Sequence, residues 1–212
     1  MLKNNKMLKI NILGTHAAGK STLSFQIGNL LKKHNINAKI IAENIRACPF
    51  PINEKAVIET EVWVFHKAVL SELHAKAEKY DAIILDRGVL DGIVYFLDRN
   101  TPNKYYDLLR QMAYQWAEEE YDLFILVEPD DPDQPYLVDE VRDPQIEYRK
   151  RIMLLFRDFV KKLNPEARKR MISLKSSEVF DEKGSGLEKI KKAMLNNGYL
   201  MAAKEAGEPV SV

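Results

Sequence analysis

The 212-residue sequence holds a single cysteine, Cys48. One thiol excludes an internal disulfide framework and any zinc site built mainly from thiolates. It fits a reducing compartment, so a cytoplasmic location is expected. The four histidines show no metal-ligand spacing, and no Ser/His/Asp arrangement points to hydrolysis. No apolar run reaches the ~18 residues of a membrane-spanning helix, so no membrane association is expected. The opening stretch MLKNNKMLKINILG combines lysines with a short apolar run, but that run leads into a glycine-containing loop and not a small-residue cleavage site. No targeting segment is expected there. An excess of one charge is missing too: 32 Lys and Arg face 31 Asp and Glu, for a net charge of +1. Such a chain has no global electrostatic pull toward nucleic acid or an anionic membrane. Affinity for an anion must come from a local site. Internal repeats and low-complexity segments are also lacking.

What is present suffices for one core. Apolar residues make up 46% of the chain and charged residues 30%, and the length suits one domain. The expected domain spans 1–200, followed by a flexible tail over 201–212. Short apolar runs alternate with amphipathic stretches. LKINIL (8–13), AKIIAE (38–43), DAIILD (81–86) and DLFILV (122–127) read as strands, with RMISL (170–174) a shorter fifth. Runs rich in Ile, Leu and Val suit strands covered on both faces, as in a parallel sheet. Helical stretches lie between them. Residues 20–34 follow the first strand directly. In 54–79, Val57, Val64, Ala68 and Leu73 fall near helical spacing. Thr101-Pro102 reads as a helix start, followed by an apolar stripe of Tyr105, Leu108, Met112 and Trp116. Asp143-Pro144 repeats that signal before Ile146, Met153, Phe156, Phe159 and Leu163, and that helix is expected to stop before Pro165. Leu187, Ile190 and Met194 mark a last helix that Asn197-Gly198 ends. Strand–helix alternation predicts a doubly wound α/β domain, where ligands sit beyond the carboxyl ends of the strands.

The first such end carries GTHAAGKST over 14–22. Gly14, Gly19, Lys20 and Ser21 fit G-x-x-x-x-G-K-[ST]. Glycines let the backbone wrap so that successive N–H groups point at phosphate oxygens. Lys20 adds a point charge near the β- and γ-phosphates, the Ser21 hydroxyl can ligate Mg²⁺, and the following helix aims its positive end at the same place. Thr15, His16, Ala17, Ala18 and Thr22 complete the loop, in which the main chain of His16 matters more than its ring. A strand before the motif and a helix after it supply the context it needs. The ligand expected is a nucleoside triphosphate, with Mg²⁺.

Other strand ends carry acids and arginines. Asp86-Arg87 closes the third run, where a carboxylate can contact Mg²⁺ through water. Glu43 and Arg46 lie at the end of the second, placed to take a hydroxyl proton from an acceptor and to hold its polar groups. Trp63, on the next helix, offers a ring against which a base can stack, although a core role is the commoner fate of such a residue. The stretch 129–151 contains Pro129, Pro132 and Pro135 with many charges, and reads as a lid. Arg142 and Arg149 on it could be brought onto a triphosphate. Asp139 and Glu140 could equally pair with neighbouring basic residues.

These stretches together (GTHAAGKST, AENIR, YDAIILDRG and YDLFILVEPDDPDQPYLVDEVRD with a downstream RKR) resemble the phosphate-loop nucleoside and nucleotide kinases over roughly residues 8–175. Within them the chain is similar to the ribosylnicotinamide kinase domain of bifunctional NAD-biosynthesis regulators and to related AAA-type ATP-binding domains. The resemblance implies a three-layer fold with a five-stranded parallel sheet of order 2-3-1-4-5 and Mg-ATP as donor. It also implies Lys20 and Ser21 on phosphate and metal, Asp86 as metal-side carboxylate or base, Arg142 as a lid arginine, and Glu43 and Arg46 facing the acceptor. Read from their places in the sequence, Arg87 and Arg149 are further candidate catalytic arginines, and Trp63 and Arg87 further candidate acceptor contacts. The sequence departs from thymidylate kinases in Gly88, which follows Asp-Arg where those enzymes carry an aromatic residue or Ser. It departs from deoxynucleoside kinases in Asp86, where those carry Glu, and from ribosylnicotinamide kinases in Tyr136, near which those carry Trp.

The expected function is therefore Mg-ATP-dependent phosphoryl transfer to a small-molecule acceptor: a nucleoside, a nucleotide or a compound like nicotinamide riboside. The alternative is an ATPase or nucleotide-dependent switch acting on a protein or nucleic-acid partner. Nucleic acid as substrate is disfavoured by the neutral charge. A GTPase is disfavoured by the lack of an Asn-Lys-x-Asp stretch. A homodimer is compatible with all of these readings.

Overall fold

The computed structural model describes residues 6–42, 45–52, 55–97, 104–133 and 146–200, without the side chain of Arg46. Five strands appear where apolar runs occur: β1 (Leu8–Leu13), β2 (Ala38–Ile41), β3 (Ala82–Asp86), β4 (Leu123–Glu128) and β5 (Met171–Lys175). All neighbours pair in parallel, in the order β2-β3-β1-β4-β5. β1 lies at the centre, with Ile12 opposite Asp86 of β3 and Leu13 opposite Leu126 of β4. The ends of β1 and β3 are therefore adjacent, and the segments leaving the two strands meet.

Helices cover both faces. α1 (Lys20–Lys33) follows β1, and α2 (Ile58–Ala77) follows a 3₁₀ turn at Ile45–Ala47. α3 (Val89–Leu97) and α4 (Lys104–Glu120) come between β3 and β4, and α5 (Ile146–Lys161) and the short α6 (Pro165–Lys169) between β4 and β5. α7 (Ser176–Phe180) and α8 (Ser185–Asn196) close the described chain. On one face Ile10, Ile12, Ile84, Ile125 and Val127 pack with Leu23, Ile27 and Leu31 of α1 and Ile190 and Met194 of α8. On the other, Ile83, Leu85, Phe124 and Leu126 pack with Phe65 of α2, Val94 of α3, Ala113 of α4 and Phe156 of α5. This is the expected three-layer sandwich. Successive strand side chains point to opposite faces, so a run apolar at every position feeds both cores.

β1 departs from that rule in an informative way. Lys9 and Asn11 alternate with the apolar residues yet are buried as fully as they are. They lie on the side that carries Leu13, under α2, α3 and α4.

Two helical faces differ from expectation. On α4, Tyr105, Leu108 and Met112 are exposed, while Tyr106, Leu109, Ala113 and Ala117 are buried. One residue along a helix is a rotation of ~100°, and the small Ala113 and Ala117 let the backbone come close to the core where larger side chains would hold it off. On α2, Leu73 is exposed and Val57 precedes the helix, whereas Phe65, Ala68, Glu72 and Ala75 are buried. α5 ends at Lys161, before the buried Leu163, and Pro165 does more than stop it. Asn164 caps a new short helix by accepting from the Ala167 amide at 2.8 Å, with Pro165 at its first position. Asn197 and Gly198, with φ +73° at Gly198, end α8 as expected. Thr101-Pro102, Asp143-Pro144 and the expected tail over 201–212 lie outside the described residues. Among the described residues, no helix is long and apolar enough to cross a membrane.

Candidate active site

The loop from Gly14 to Gly19 joins β1 to α1 beyond the carboxyl end of the sheet. Three of its residues take positive φ: Gly14 (136°), Ala17 (55°) and Gly19 (94°). At Gly14 a Cβ would stand 2.1 Å from the carbonyl oxygen of Val127, so only glycine lets the loop turn this close to β4. The Lys20 ammonium donates to the Thr15 carbonyl at 2.6 Å and is nearly buried. Its charge thus lies over the loop and not in solvent. The Ser176 hydroxyl, just after β5, donates to the carbonyls of Ala18 (3.0 Å) and Glu128 (3.2 Å), tying the loop to the ends of β4 and β5.

Across from the loop, Asp86 ends β3. Its Oδ2 accepts a hydrogen bond from the Ser21 hydroxyl. A hydroxyl and a carboxylate brought together beside a lysine form a hard-oxygen donor pair of the kind Mg²⁺ takes alongside phosphate oxygens. Among the described residues, no group of three or more His, Cys, Asp or Glu side chains could hold a metal by itself.

Arg87 follows in a left-handed conformation, φ 71°, which costs a non-glycine residue of order 1–3 kcal/mol and must be held by its surroundings. Its amide donates to the Ile12 carbonyl at 3.2 Å. Its guanidinium lies over the Tyr95 ring, 4.9 Å from the centroid. Tyr95 neighbours Tyr148 of α5 at 6.4 Å, and Tyr148 stacks with the His16 ring at 6.2 Å. The His16 ring is buried. It has a packing role besides its main chain, connecting the loop through α5 and α3 to Arg87.

The chain matches the family model of the AAA domain over residues 9–169. It belongs to the AAA domain family. No curated protein sequence matches it. Solved structures similar to this AAA domain include thymidylate kinase from Candida albicans, at 15% identity and a TM-score of 0.66, covering 94% of this chain and 96% of that one. Deoxyadenosine kinase from M. mycoides, determined with bound dATP, matches at 18% identity and 0.57, covering 87% of this chain and 98% of that one. Thymidylate kinase from Ehrlichia chaffeensis matches at 18% identity and 0.61, covering 88% and 98% respectively. The fold of this AAA domain is that of the P-loop nucleoside and nucleotide kinases, with the strand order those enzymes share.

The structure brings Gly14 through Thr22, Asp86 and Arg87 to one end of the sheet. Arg149 is on α5, next to Tyr148, and is buried. The part of the expected lid at 146–151 is thus the first turn of a packed helix. Trp63 is half-buried on α2. Glu43, Asp139, Glu140 and Arg142, with the span 134–145 of the expected lid, lie outside the described residues, as does the side chain of Arg46. Sequence reasoning missed Ser176, although LKSS at 174–177 stood beside the fifth strand. It also missed the packing of Phe180 and Val179, which a Cβ on Gly19 would meet at 3.0 and 3.2 Å. A small polar residue at the end of the fifth strand was the available signal.

Proposed function

We propose that this AAA domain is a Mg-ATP-dependent kinase that transfers a phosphoryl group to a small-molecule acceptor of the nucleoside or nucleotide class, nicotinamide riboside-like compounds included. The single observation that carries the reading is the meeting of Ser21, Asp86 and Lys20 at the joined ends of β1 and β3. The fold shared with thymidylate and deoxyadenosine kinases supports it.

In this reading the amides of 14–22 and the first turn of α1 bind the β- and γ-phosphates, with Lys20 adding charge as it builds on the transferring group. Ser21 and Asp86 hold Mg²⁺, which neutralises phosphate charge when bound. Arg87, fixed over Tyr95, presents a cation on the acceptor side of Asp86. Arg149 and Arg142 act on the triphosphate, and Glu43, Arg46 and Trp63 bind the acceptor, with Glu43 or Asp86 taking its proton. Catalysis then rests on positioning and charge, as phosphoryl transfer requires. The work is done by the chain without a nucleic-acid partner, and a homodimer is compatible with it.

The test is ADP formation with Mg²⁺ across nucleosides, nucleoside monophosphates and nicotinamide riboside, against a control without acceptor. Stimulation by one class supports the kinase. A flat, slow rate over the whole panel would favour the nucleotide-dependent switch.

A further inference from the structure

Beneath the Asp86–Arg87 turn lies a buried polar cluster that the proposed chemistry does not use. Glu72 of α2 has no exposed surface. Its carboxylate accepts three hydrogen bonds: from Lys9 Nζ of β1 (2.9 Å), from Trp116 Nε1 of α4 (3.0 Å) and from the Tyr121 hydroxyl (2.7 Å). Lys9 also pairs with Glu120 at 2.9 Å. Burying a carboxylate is expensive, and a fold keeps one only where its lone pairs are met. Burial and the neighbouring Glu72 charge push the Tyr121 phenol well above its ordinary range, so it stays protonated and donates. The same oxygen accepts from the Val89 amide at 3.2 Å, the first amide of α3.

The cluster touches the turn at a second point. A Cβ on Gly88 would stand 2.6 Å from Asn11 Oδ1 and 2.7 Å from the Tyr121 hydroxyl. Gly88 therefore rests directly on Asn11 and Tyr121. Its own amide donates to Asp91 Oδ2 at 3.2 Å. The turn from Asp86 to Val89 thus has Ile12 below Arg87, Asp91 at Gly88 and Tyr121 at Val89. That is the over-determination a left-handed Arg87 needs. It also gives Gly88, which sets this chain apart from thymidylate kinases, a physical reason: a side chain there would displace the anchor.

We propose that Tyr121, itself held by Glu72, is a positioning residue that sets the conformation of the Asp86–Arg87 turn and so holds Asp86 against Ser21 and Arg87 over Tyr95. The proposal rests on the kinase reading for its kinetic consequence, but not for its structural one.

The test compares Tyr121→Phe with Trp116→Phe. Both remove one donor to Glu72, but only the first touches the turn. Tyr121→Phe is expected to lower kcat by about tenfold or more with KM for ATP changed less than about twofold. Trp116→Phe is expected to lower Tm with kcat within about twofold of the parent. In Tyr121→Phe, hydrogen exchange at the Arg87, Gly88 and Val89 amides should all quicken by about tenfold or more, while the β3 interior stays protected. Equal loss of Tm in both variants with kcat intact in both would overturn the proposal, as would quickened exchange at Val89 alone. If Tyr121→Phe does not fold, Gly88→Ala, which presses on the same anchor from above, is read by the same criteria. If the parent protein phosphorylates no acceptor, the kinase reading fails, and the exchange pattern alone decides the positioning role.

Discussion

The Ser21 hydroxyl donates to Asp86 Oδ2, so the first turn of α1 and the end of β3 share a hydrogen bond across the mouth of the sheet. This contact is a consequence of topology. β1 and β3 are hydrogen-bonded neighbours with Ile12 opposite Asp86, and the loop after β1 returns α1 over the same edge. In the proposed function these are the two oxygens that would hold Mg²⁺.

Replacing either partner should therefore act through the metal. Asp86→Asn is expected to cut kcat by on the order of 10²-fold or more and to raise the Mg²⁺ concentration for half-maximal rate. Ser21→Ala should raise that concentration with a smaller loss of kcat. A Mg²⁺ titration at saturating ATP reads both. An unchanged Mg²⁺ requirement in Asp86→Asn would remove it from the metal site.

Lys20→Ala should abolish phosphoryl transfer, by on the order of 10²–10³-fold, with little loss of fold. The ammonium contacts a loop carbonyl and no core residue is removed with it. Circular dichroism and Tm check the fold, and ADP formation checks the rate.

Gly14→Ala acts on the fold itself. The new methyl would meet the Val127 carbonyl and adopt a backbone angle that L residues avoid. A cost of about 2–4 kcal/mol is expected, read as a lower urea midpoint.

The end of β4 supplies a pH dependence. Burial alone would raise the Glu128 carboxyl, but hydrogen bonds from Arg157 and Lys175 outweigh it and hold the group below its ordinary value of 4.5. A depressed folded-state pKa stabilises the fold fully above the unfolded value, and the contribution is lost as pH falls through the folded one. Stability should fall below about pH 4.5. Glu128→Gln should flatten that acid limb, as seen in Tm measured from about pH 3 to about pH 7, from below to well above the unfolded carboxyl value.

The five strands were legible because each is a short apolar run, buried on two faces in the central β1, β3 and β4 and partly covered in the edge strands β2 and β5, and their ends carry the loop, Asp86 and Arg87. α3 was not legible. Val89, Leu90, Ile93, Val94 and Phe96 are all buried, so the segment is apolar nearly all round and shows no clean helical stripe. The face of α4 was misread because apolar residues stand on both sides of the helix, and the large exposed Tyr105, Leu108 and Met112 place the stripe one residue away from buried Tyr106, Leu109, Ala113 and Ala117. The buried role of Lys9, Asn11 and Glu72 was hidden for the opposite reason. Each is polar, and only the tertiary structure shows the partners of Lys9 and Glu72 and the place of Asn11 against Gly88.

The most direct test of the central claim is to follow the γ-phosphoryl group itself. With γ-labelled ATP, Mg²⁺ and the acceptor panel, the account predicts label in a new organic phosphate that forms only with one acceptor class and is lost in Lys20→Ala. Label released solely as inorganic phosphate, at a rate no acceptor changes, would contradict it.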